Sequence, residues 1–224
     1  MATKKIDLPH VLQKHEWDCG LACIQMILLK LQQISDDSAL FSILPTLGIG
    51  ESIWTIDLAN ILRHFNINCV YYTITCGVDP GYRAESFYKS DFDAEQVRVN
   101  TLFAKAEEMG IKVIKKSITL DEIISKLKNG FIAIILVDSN MLKCNVCNYP
   151  WNTSDDTSSE YEGHFLVLCG YDPNTEVIFC KNPSSYDDEC CMDILSIDQA
   201  RKSYGTDEDV IFIDMNQATA TFIS

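Results

Sequence analysis

Apolar residues near the start of the chain recur at the spacing of a helix. Leu21, Ile24, Leu28 and Leu31 are separated by three or four positions, and the apolar residues between them leave little of the surface polar. This pattern predicts a helix that is buried on most of its sides. A polar segment precedes the run and ends in Asp-Cys-Gly, so we expect Cys19 to stand in the first turn of the helix.

The rest of the chain alternates between helical periodicity and short apolar runs. The two patterns predict helices at 52–65, 94–109, 119–129 and 196–204 and strands at 69–75, 111–116, 131–137 and 209–215. Residues 77–93 and 139–162 follow neither period, and we interpret the second segment as an irregular insertion. Helices concentrate in about 1–130 and strands in about 131–224. We therefore expect one α+β domain over 1–224, with N-terminal helices packed on a C-terminal antiparallel sheet.

A β-hairpin is predicted around residue 173. The apolar run HFLVLCGY begins at His164, the turn-forming residues DPNT follow it, and the run VIFC then leads to Asn182. Turn residues between two apolar runs are typical of a hairpin. If the runs fold about residue 173, positions 164 and 182 are equidistant from the turn. A histidine base and an amide that orients it would then be cross-strand neighbours.

Cys19 and His164 are candidates for a nucleophile and its base. Unpaired backbone N–H groups and the positive end of the dipole at a helix start favour a thiolate. Gln13 lies six residues upstream, where a returning loop can aim its amide at the same point as the Cys19 backbone N–H, giving two donors for an oxyanion. The alternative that stays open is that Cys19 is a small core residue and Gln13 an ordinary loop residue.

The order Gln, Cys, His, Asn resembles that of the papain-like cysteine peptidases. It is especially similar to the bacteriocin-leader peptidases, whose Q-x5-C-G spacing is matched by Gln13, Cys19 and Gly20. The resemblance implies a papain-like fold and a cysteine hydrolase that acts on a peptide or amide bond through an acyl-thioester, without a cofactor. Asn182 departs from the leader peptidases, which usually have Asp in that place, and agrees with papain-like enzymes more broadly.

A second resemblance covers nearly the whole chain. The blocks HEWDCGLAC, SIWTIDLANIL, FYKSDFDAEQVRVNTLFAKAEEMGI, EGHFLVLCGYD, KNPS and SYGTDEDVIFI resemble the eukaryotic guanylyl cyclase domain-containing protein family, also named for a plant guanylyl cyclase. The family name implies an alternative function, the conversion of GTP to cyclic GMP, with Mg²⁺ or Mn²⁺ held by carboxylates. No P-loop motif is present in the sequence. A further alternative is a catalytically inactive binding protein of the same fold.

A structural zinc site is a third hypothesis about chemistry. Cys144 and Cys147 form a C-x-x-C pair in the insertion, and Cys190 and Cys191 supply two further thiols. Four thiolates are a common ligand set for zinc and would tie the insertion to the loop after Asn182. A single C-x-x-C is weak evidence for such a site.

Composition limits the partners. The 224 residues carry 18 basic and 32 acidic side chains, a net charge of −14, which argues against binding nucleic acid or an anionic membrane. The first residues lack a signal-like apolar region, and no apolar stretch is long enough to span a bilayer. We therefore expect a monomer in the cytoplasm, with the nucleus also open, that is not secreted and acts on a peptide or protein substrate. Its ten cysteines are expected to be reduced thiols.

Overall fold

The computed structural model describes residues 3–84, 92–144 and 160–220, and within them eight strands form one sheet. The strands are β1 (Lys4–Lys5), β2 (Cys69–Thr73), β3 (Lys112–Lys115), β4 (Phe131–Asp138), β5 (Gly163–Asp172), β6 (Val177–Lys181), β7 (Cys190–Asp193) and β8 (Val210–Asp214). The helices are α1 (Cys19–Lys30), α2 (Ser38–Leu47), α3 (Thr55–His64), α4 (Phe92–Lys105), α5 (Leu120–Lys128), α6 (Ile194–Ala200) and α7 (Met215–Ala220). No helix of these residues is long and apolar enough to cross a membrane.

The strands lie in the order β3-β2-β8-β4-β5-β6-β7, and β1 pairs with the far end of β5. All neighbouring pairs are antiparallel except β2 and β3, which run parallel. This exception to the expected antiparallel sheet has a simple cause. The chain between β2 and β3 contains α4, and a crossover of that length returns the second strand in the same direction as the first. Three strands of the sheet come from the first 130 residues.

Helices cover both faces of the sheet, whereas the sequence predicted only that helices pack on it. In β4, Ile132, Ile134 and Leu136 face the core shared with α1 to α4, and the alternate residues face a second core that includes α5 and α6. This alternation explains why β4 is a continuous apolar run, because a strand buried on both faces has no solvent-facing side. The first face carries the helix that begins at Cys19.

Gly20 allows α1 to approach the sheet closely. A Cβ at this position would lie 3.0 Å from the Phe165 ring and 3.1 Å from the Leu58 side chain. Nearly every residue of α1 from Cys19 to Leu28 is buried, as the periodicity predicted. The missing side chain therefore lets the first turn of α1 rest directly against the start of β5, where His164 stands.

The β5–β6 hairpin forms as predicted, but its register differs. Val167 pairs with Lys181 and Leu168 with Cys180, and a β-bulge at Cys169 then shifts the pairing so that Gly170 faces Phe179. Position 164 is therefore not directly opposite position 182, because the turn between Asp172 and Val177 is centred beyond residue 173, and the bulge in β5 offsets only part of that displacement. The two side chains still meet diagonally across the strand ends, as described below.

Two predicted irregular segments lie partly outside the described residues. Of the loop at 77–93, residues 85–91 are not described, and a short 3-10 helix at Pro80–Ala84 precedes the gap. Of the insertion at 139–162, residues 145–159 are not described. The two ends of the insertion meet, since the Ser139 N–H donates to the Glu162 carbonyl at 2.9 Å.

Candidate active site

Cys19 is the first residue of α1 and lines a cleft of about 740 Å³ at one end of the sheet. The preceding Asp18 does not cap the helix with its side chain. Instead its carboxylate, only 2% exposed, accepts hydrogen bonds from the backbone N–H groups of Lys14 and His15. Asp18 thus ties the loop from residue 13 to the helix start, which fixes the rim of the cleft beside the thiol.

The thiol of Cys19 is held mainly in its protonated form. Burial raises its pKa to about 11, and the charge of Asp18 acts in the same direction. The backbone N–H groups of Phe165, Gly20 and Cys19 lower the pKa, but they do not offset the burial. The expectation that the helix start makes Cys19 a ready thiolate is therefore wrong in this state of the cleft, because desolvation outweighs the N-terminal donors. A thiol in this state can act as a nucleophile only if a nearby base takes its proton.

The contact with Phe165 places the sulfur at the peptide unit next to His164. The His164 ring is 6% exposed, and its Nε2 lies 2.9 Å from Asn182 Oδ1. The Ser184 backbone N–H also donates to this Asn182 oxygen at 3.0 Å. An atom that accepts from a backbone N–H is the carbonyl oxygen of the amide, so His164 Nε2 must carry the hydrogen.

This tautomer leaves Nδ1 as the nitrogen of the neutral ring that accepts a proton. Burial lowers the pKa of His164, although the bond to Asn182 and the charge of Glu162 oppose the shift. The ring is consequently neutral at pH 7 and in the correct state to act as a base. Asn182 Nδ2 is buried and has no hydrogen-bond partner among the described residues.

Gln13 joins the same hydrogen-bonded group from the side of the loop. Its backbone N–H donates to the Pro183 carbonyl at 2.9 Å, and its side-chain oxygen accepts from Ser184 Oγ at 2.6 Å. Its amide nitrogen donates to the His15 carbonyl at 2.8 Å, which leaves a second N–H on that nitrogen. Gln13 lines a shallow depression beside the cleft, so its role as an oxyanion donor stays a prediction.

Of the four predicted site residues, Cys19 alone is among the described residues that line the cleft. Gly163 and Phe165, which flank His164, also line it. The structure thus connects Gln13, His164 and Asn182 through hydrogen bonds, and it brings Cys19 to the residue that follows His164.

Two acidic residues in the cleft were not singled out from the sequence. Asp207 and Asp209 line the cleft and are 9% and 5% exposed. Tyr82 donates its hydroxyl to Asp207 Oδ1 and Tyr71 donates to Asp209 Oδ2, both at 2.8 Å. A signal was present, because period-two alternation puts Asp209 on the same strand face as the apolar residues at 211 and 213.

Burial and the neighbouring Asp207 raise the pKa of Asp209 to about 7. Its Oδ1 is buried without a hydrogen-bond partner among the described residues, as is Thr55 Oγ1. The hydroxyl groups of Thr55, Thr73 and Tyr71 are near enough to act in the opposite direction and lower the pKa. A buried carboxyl with an unmet oxygen is costly unless a ligand completes it.

The opposite wall of the cleft is fixed by ion pairs. Arg98 Nη1 lies 2.6 Å from the buried carboxylate of Asp57, and Arg98 Nη2 lies 2.8 Å from Glu95. The Trp54 indole donates to the same Glu95 carboxylate at 3.0 Å. Trp54 and Glu95 both line the cleft, so these contacts hold its aromatic and acidic wall in place.

Three of the four predicted zinc ligands lie among the described residues. Cys144 forms an isolated bridge to Met192 and its thiol contacts the Cys191 carbonyl at 3.5 Å, whereas Cys147 lies outside the described residues. Cys190 is fully buried and Cys191 half-buried, as expected for successive strand residues that point to opposite faces. Among the described residues, no group of three or more His, Cys, Asp or Glu side chains is suited to a metal ion. The zinc site stays a prediction.

The architecture is that of a papain-like cysteine peptidase. The chain is similar to a solved structure described as a C39-like peptidase from Bacillus anthracis, with 12% identity and a TM-score of 0.54 over 95% of this chain and 98% of that one. The chain belongs to the guanylylate cyclase family, whose model matches residues 8–213. It is also 38% identical over 216 residues to Guanylyl cyclase 1 of Arabidopsis thaliana, covering 96% of this chain and 78% of the relative. Both resemblances inferred from the sequence are thereby confirmed.

Proposed function

We propose that the protein is a cysteine hydrolase that cleaves a peptide or amide bond through an acyl-thioester on Cys19. The observation that carries the proposal is the position of the Cys19 thiol in the cleft, against the amide N–H that follows His164. The papain-like fold supports it, since such a fold provides a helix-borne cysteine and a strand-borne histidine on either side of one groove.

The chemistry begins with a neutral thiol and a neutral imidazole. As the Cys19 sulfur bonds to the acyl carbon, His164 Nδ1 takes the thiol proton, and the carbonyl oxygen becomes an oxyanion. The Cys19 backbone N–H and the second N–H of the Gln13 amide are the proposed donors to that oxyanion. The protonated ring then gives its proton to the leaving nitrogen as the C–N bond breaks.

Water completes the cycle. A water molecule attacks the thioester carbon, His164 accepts its proton, and the C–S bond breaks with return of that proton to the sulfur. Throughout, Asn182 Oδ1 accepts the hydrogen on Nε2 and keeps Nδ1 as the reacting nitrogen. No cofactor takes part in any step of this proposal.

The test is covalent trapping by a peptidyl vinyl sulfone at pH 7, followed by mapping of all ten cysteines. We expect label at Cys19, which is buried, ahead of Cys76, which is exposed and lies outside the cleft. Cys19→Ala should abolish specific trapping, and the matched variant Cys76→Ser should retain it. Label distributed according to exposure, with no preference for Cys19, would contradict the hydrolase.

Guanylyl cyclase activity is the second candidate, because the family and the plant relative carry that name. Asp207 and Asp209 offer two carboxylates in one cleft for Mg²⁺ or Mn²⁺. However, the described lining contains no cationic side chain to neutralise a triphosphate. Metal-dependent formation of cyclic GMP that persists in Cys19→Ala would establish this alternative. Absence of both trapping and cyclase activity would favour an inactive binding protein.

A further inference from the structure

The cleft beside Cys19 is acidic. Its lining includes Glu16, Glu51, Glu95, Asp207 and Asp209, and none of the described lining residues is Lys, Arg or His. Glu16 and Glu51 are exposed to solvent, and Glu95 is already paired with Arg98. The buried negative charge that lacks a counter-ion is therefore concentrated at the Asp207 and Asp209 end of the cleft.

Asp209 has the hydrogen-bonding character of a ligand-binding group. One carboxylate oxygen accepts from the Tyr71 hydroxyl, and the other is buried with no partner among the described residues. Thr55 Oγ1 is likewise buried and unpartnered, and it lines the same cleft. A carboxylate oxygen and a neighbouring hydroxyl, buried together in one pocket, are suited to a ligand that donates several hydrogen bonds.

The position of this pocket relative to Cys19 is set by the sheet. Phe165, against which Cys19 lies, pairs with Leu136 on β4, and the Leu136 N–H donates to the Asp209 carbonyl at 3.1 Å. Asp209 is therefore two strand spacings from Phe165, or about 10 Å across the sheet. About three residues of extended peptide cover that distance.

The donor set favours an organic cation over a metal ion. Asp207 Oδ1 and Asp209 Oδ2 are each occupied by a tyrosine hydroxyl, and the described residues contain no group of three side chains suited to a metal. An ammonium or guanidinium group supplies its own N–H donors and needs only one carboxylate and one or two further oxygens.

We propose that the Asp209 end of the cleft binds a protonated nitrogen of the substrate, carried by a Lys or Arg side chain within about three residues of the bond attacked by Cys19. This inference rests on the proposed hydrolase function and assigns its specificity. The nitrogen donates to Asp209 Oδ1 and Thr55 Oγ1, and its charge replaces the counter-ion that the lining lacks.

The experiment uses pairs of peptidyl vinyl sulfones that differ only by Lys or norleucine at one of three positions. We expect the Lys probe to modify Cys19 at least tenfold faster than its norleucine partner at one position. Asp209→Asn should reduce this ratio to near one while norleucine probes still react. Thr55→Val should reduce it partly, and the matched control Asp121→Asn, an exposed carboxylate on α5, should leave it unchanged.

Equal rates for Lys and norleucine at every position, or a preference that survives Asp209→Asn, would overturn the subsite. Acetylation of the probe's N-terminus distinguishes a side-chain nitrogen from a terminal amine, and a preference lost on acetylation would overturn the side-chain assignment.

Failure of every probe to label Cys19 would instead reject the hydrolase. Whether the subsite binds a lysine side chain can then be tested separately, by thermal unfolding of the full chain with N-acetyl-lysine amide or N-acetyl-norleucine amide. A rise in Tm with the lysine compound alone, lost in Asp209→Asn, supports the subsite. Equal shifts in Tm with the two compounds would overturn the subsite. A shift in Tm that depends on Asp209 and is produced by Mg²⁺ or Mn²⁺, but not by the lysine compound, would also overturn it.

Discussion

The His164–Asn182 pair and the Asp207–Asp209 pair stand near the same end of the sheet, yet their polar atoms are used differently. In the first pair, hydrogen bonds to Asn182 Oδ1 fix which ring nitrogen carries the proton. In the second, tyrosine hydroxyls hold one oxygen of each carboxyl, and Asp209 keeps a buried oxygen with no partner among the described residues. The first arrangement fits the proton transfer that we propose, and the second fits the ligand that we propose.

The difference indicates which role each pair can have. A base must be neutral and oriented before substrate arrives, and burial with one fixed hydrogen bond achieves both for His164. A buried binding group contributes most to affinity when the ligand supplies its missing hydrogen-bond partner, and Asp209 fits this description. Substitutions in the two pairs should therefore affect different measurements.

The largest effect is expected from His164→Ala. Without the base, the proton of a thiol whose pKa is about 11 has no acceptor, and hydrolysis or trapping at pH 7 should fall by about 10²–10⁴-fold. The Tm of the variant, measured in parallel, reports whether the fold survives. A folded variant that retains the wild-type rate would remove His164 from the mechanism.

Asp209→Asn should stabilise the protein at high pH. A carboxyl whose pKa is raised from 3.8 to about 7 contributes full stability below its unfolded pKa, and that contribution is lost as pH rises through 7. The titratable groups that face it, Asp207 and Tyr71, remain in both proteins. The free energy of unfolding in urea should therefore rise by up to about 4 kcal/mol at pH 8.

The same substitution should have little effect near pH 4, where wild-type Asp209 is protonated in the folded state and about half protonated in the unfolded state. Unfolding curves at the two pH values supply the comparison. An effect of equal size at both pH values would show that burial does not raise the pKa of Asp209. The contrast between the His164–Asn182 pair and the Asp207–Asp209 pair would then be weaker.

Gly20→Ala tests how closely Cys19 must approach β5. The added methyl would lie 3.0 Å from the Phe165 ring, so the helix start has to shift by a few tenths of an ångström. We expect trapping at Cys19 to slow by about tenfold, since small misplacements of a reacting group are costly. Unfolding should change by less than about 1 kcal/mol, because alanine favours the helix. An unchanged trapping rate would mean that the contact has no role in reactivity.

The smallest effect is expected from Asn182→Asp. A carboxylate beside the ring favours the imidazolium and raises the pKa of His164, whereas Asn182→Ala only loosens the ring. The rate of trapping should therefore decrease more at pH 6 than at pH 8 in Asn182→Asp. Identical pH profiles for this variant and the wild type would show that residue 182 does not control the protonation of the ring.

Much of the fold follows from local patterns in the sequence. The periodicity around Leu21 predicts α1, and the capping residues Thr119 and Glu122 accurately place the start of α5, because helix ends are determined by nearby hydrogen bonds. The continuous apolar run of β4 predicts a buried strand. The order of strands and the parallel β2–β3 pair were not predicted, because they depend on contacts between distant segments.

The site shows the same division. Cys19, His164 and Asn182 could be named as candidates because their types and order are typical of known chemistry. The hairpin register could not, since it depends on where the turn is centred and on the bulge in β5. The raised pKa of Cys19 depends on how deeply the thiol is buried, which no local pattern gives. Asp209 was missed because an acidic residue at the first position of a predicted strand, next to two further acidic residues, is usually exposed to solvent.

The pH dependence of Cys19 alkylation most directly tests whether the thiol and the His164 ring share a proton. Iodoacetamide modification of Cys19, followed by peptide mapping from pH 5 to pH 10, gives the profile for the wild type and for His164→Ala. We predict a plateau around neutral pH in the wild type and a tenfold rise per pH unit in the variant up to the pKa of its thiol. A wild-type profile that rises in the same way, with no plateau below pH 9, would contradict the account.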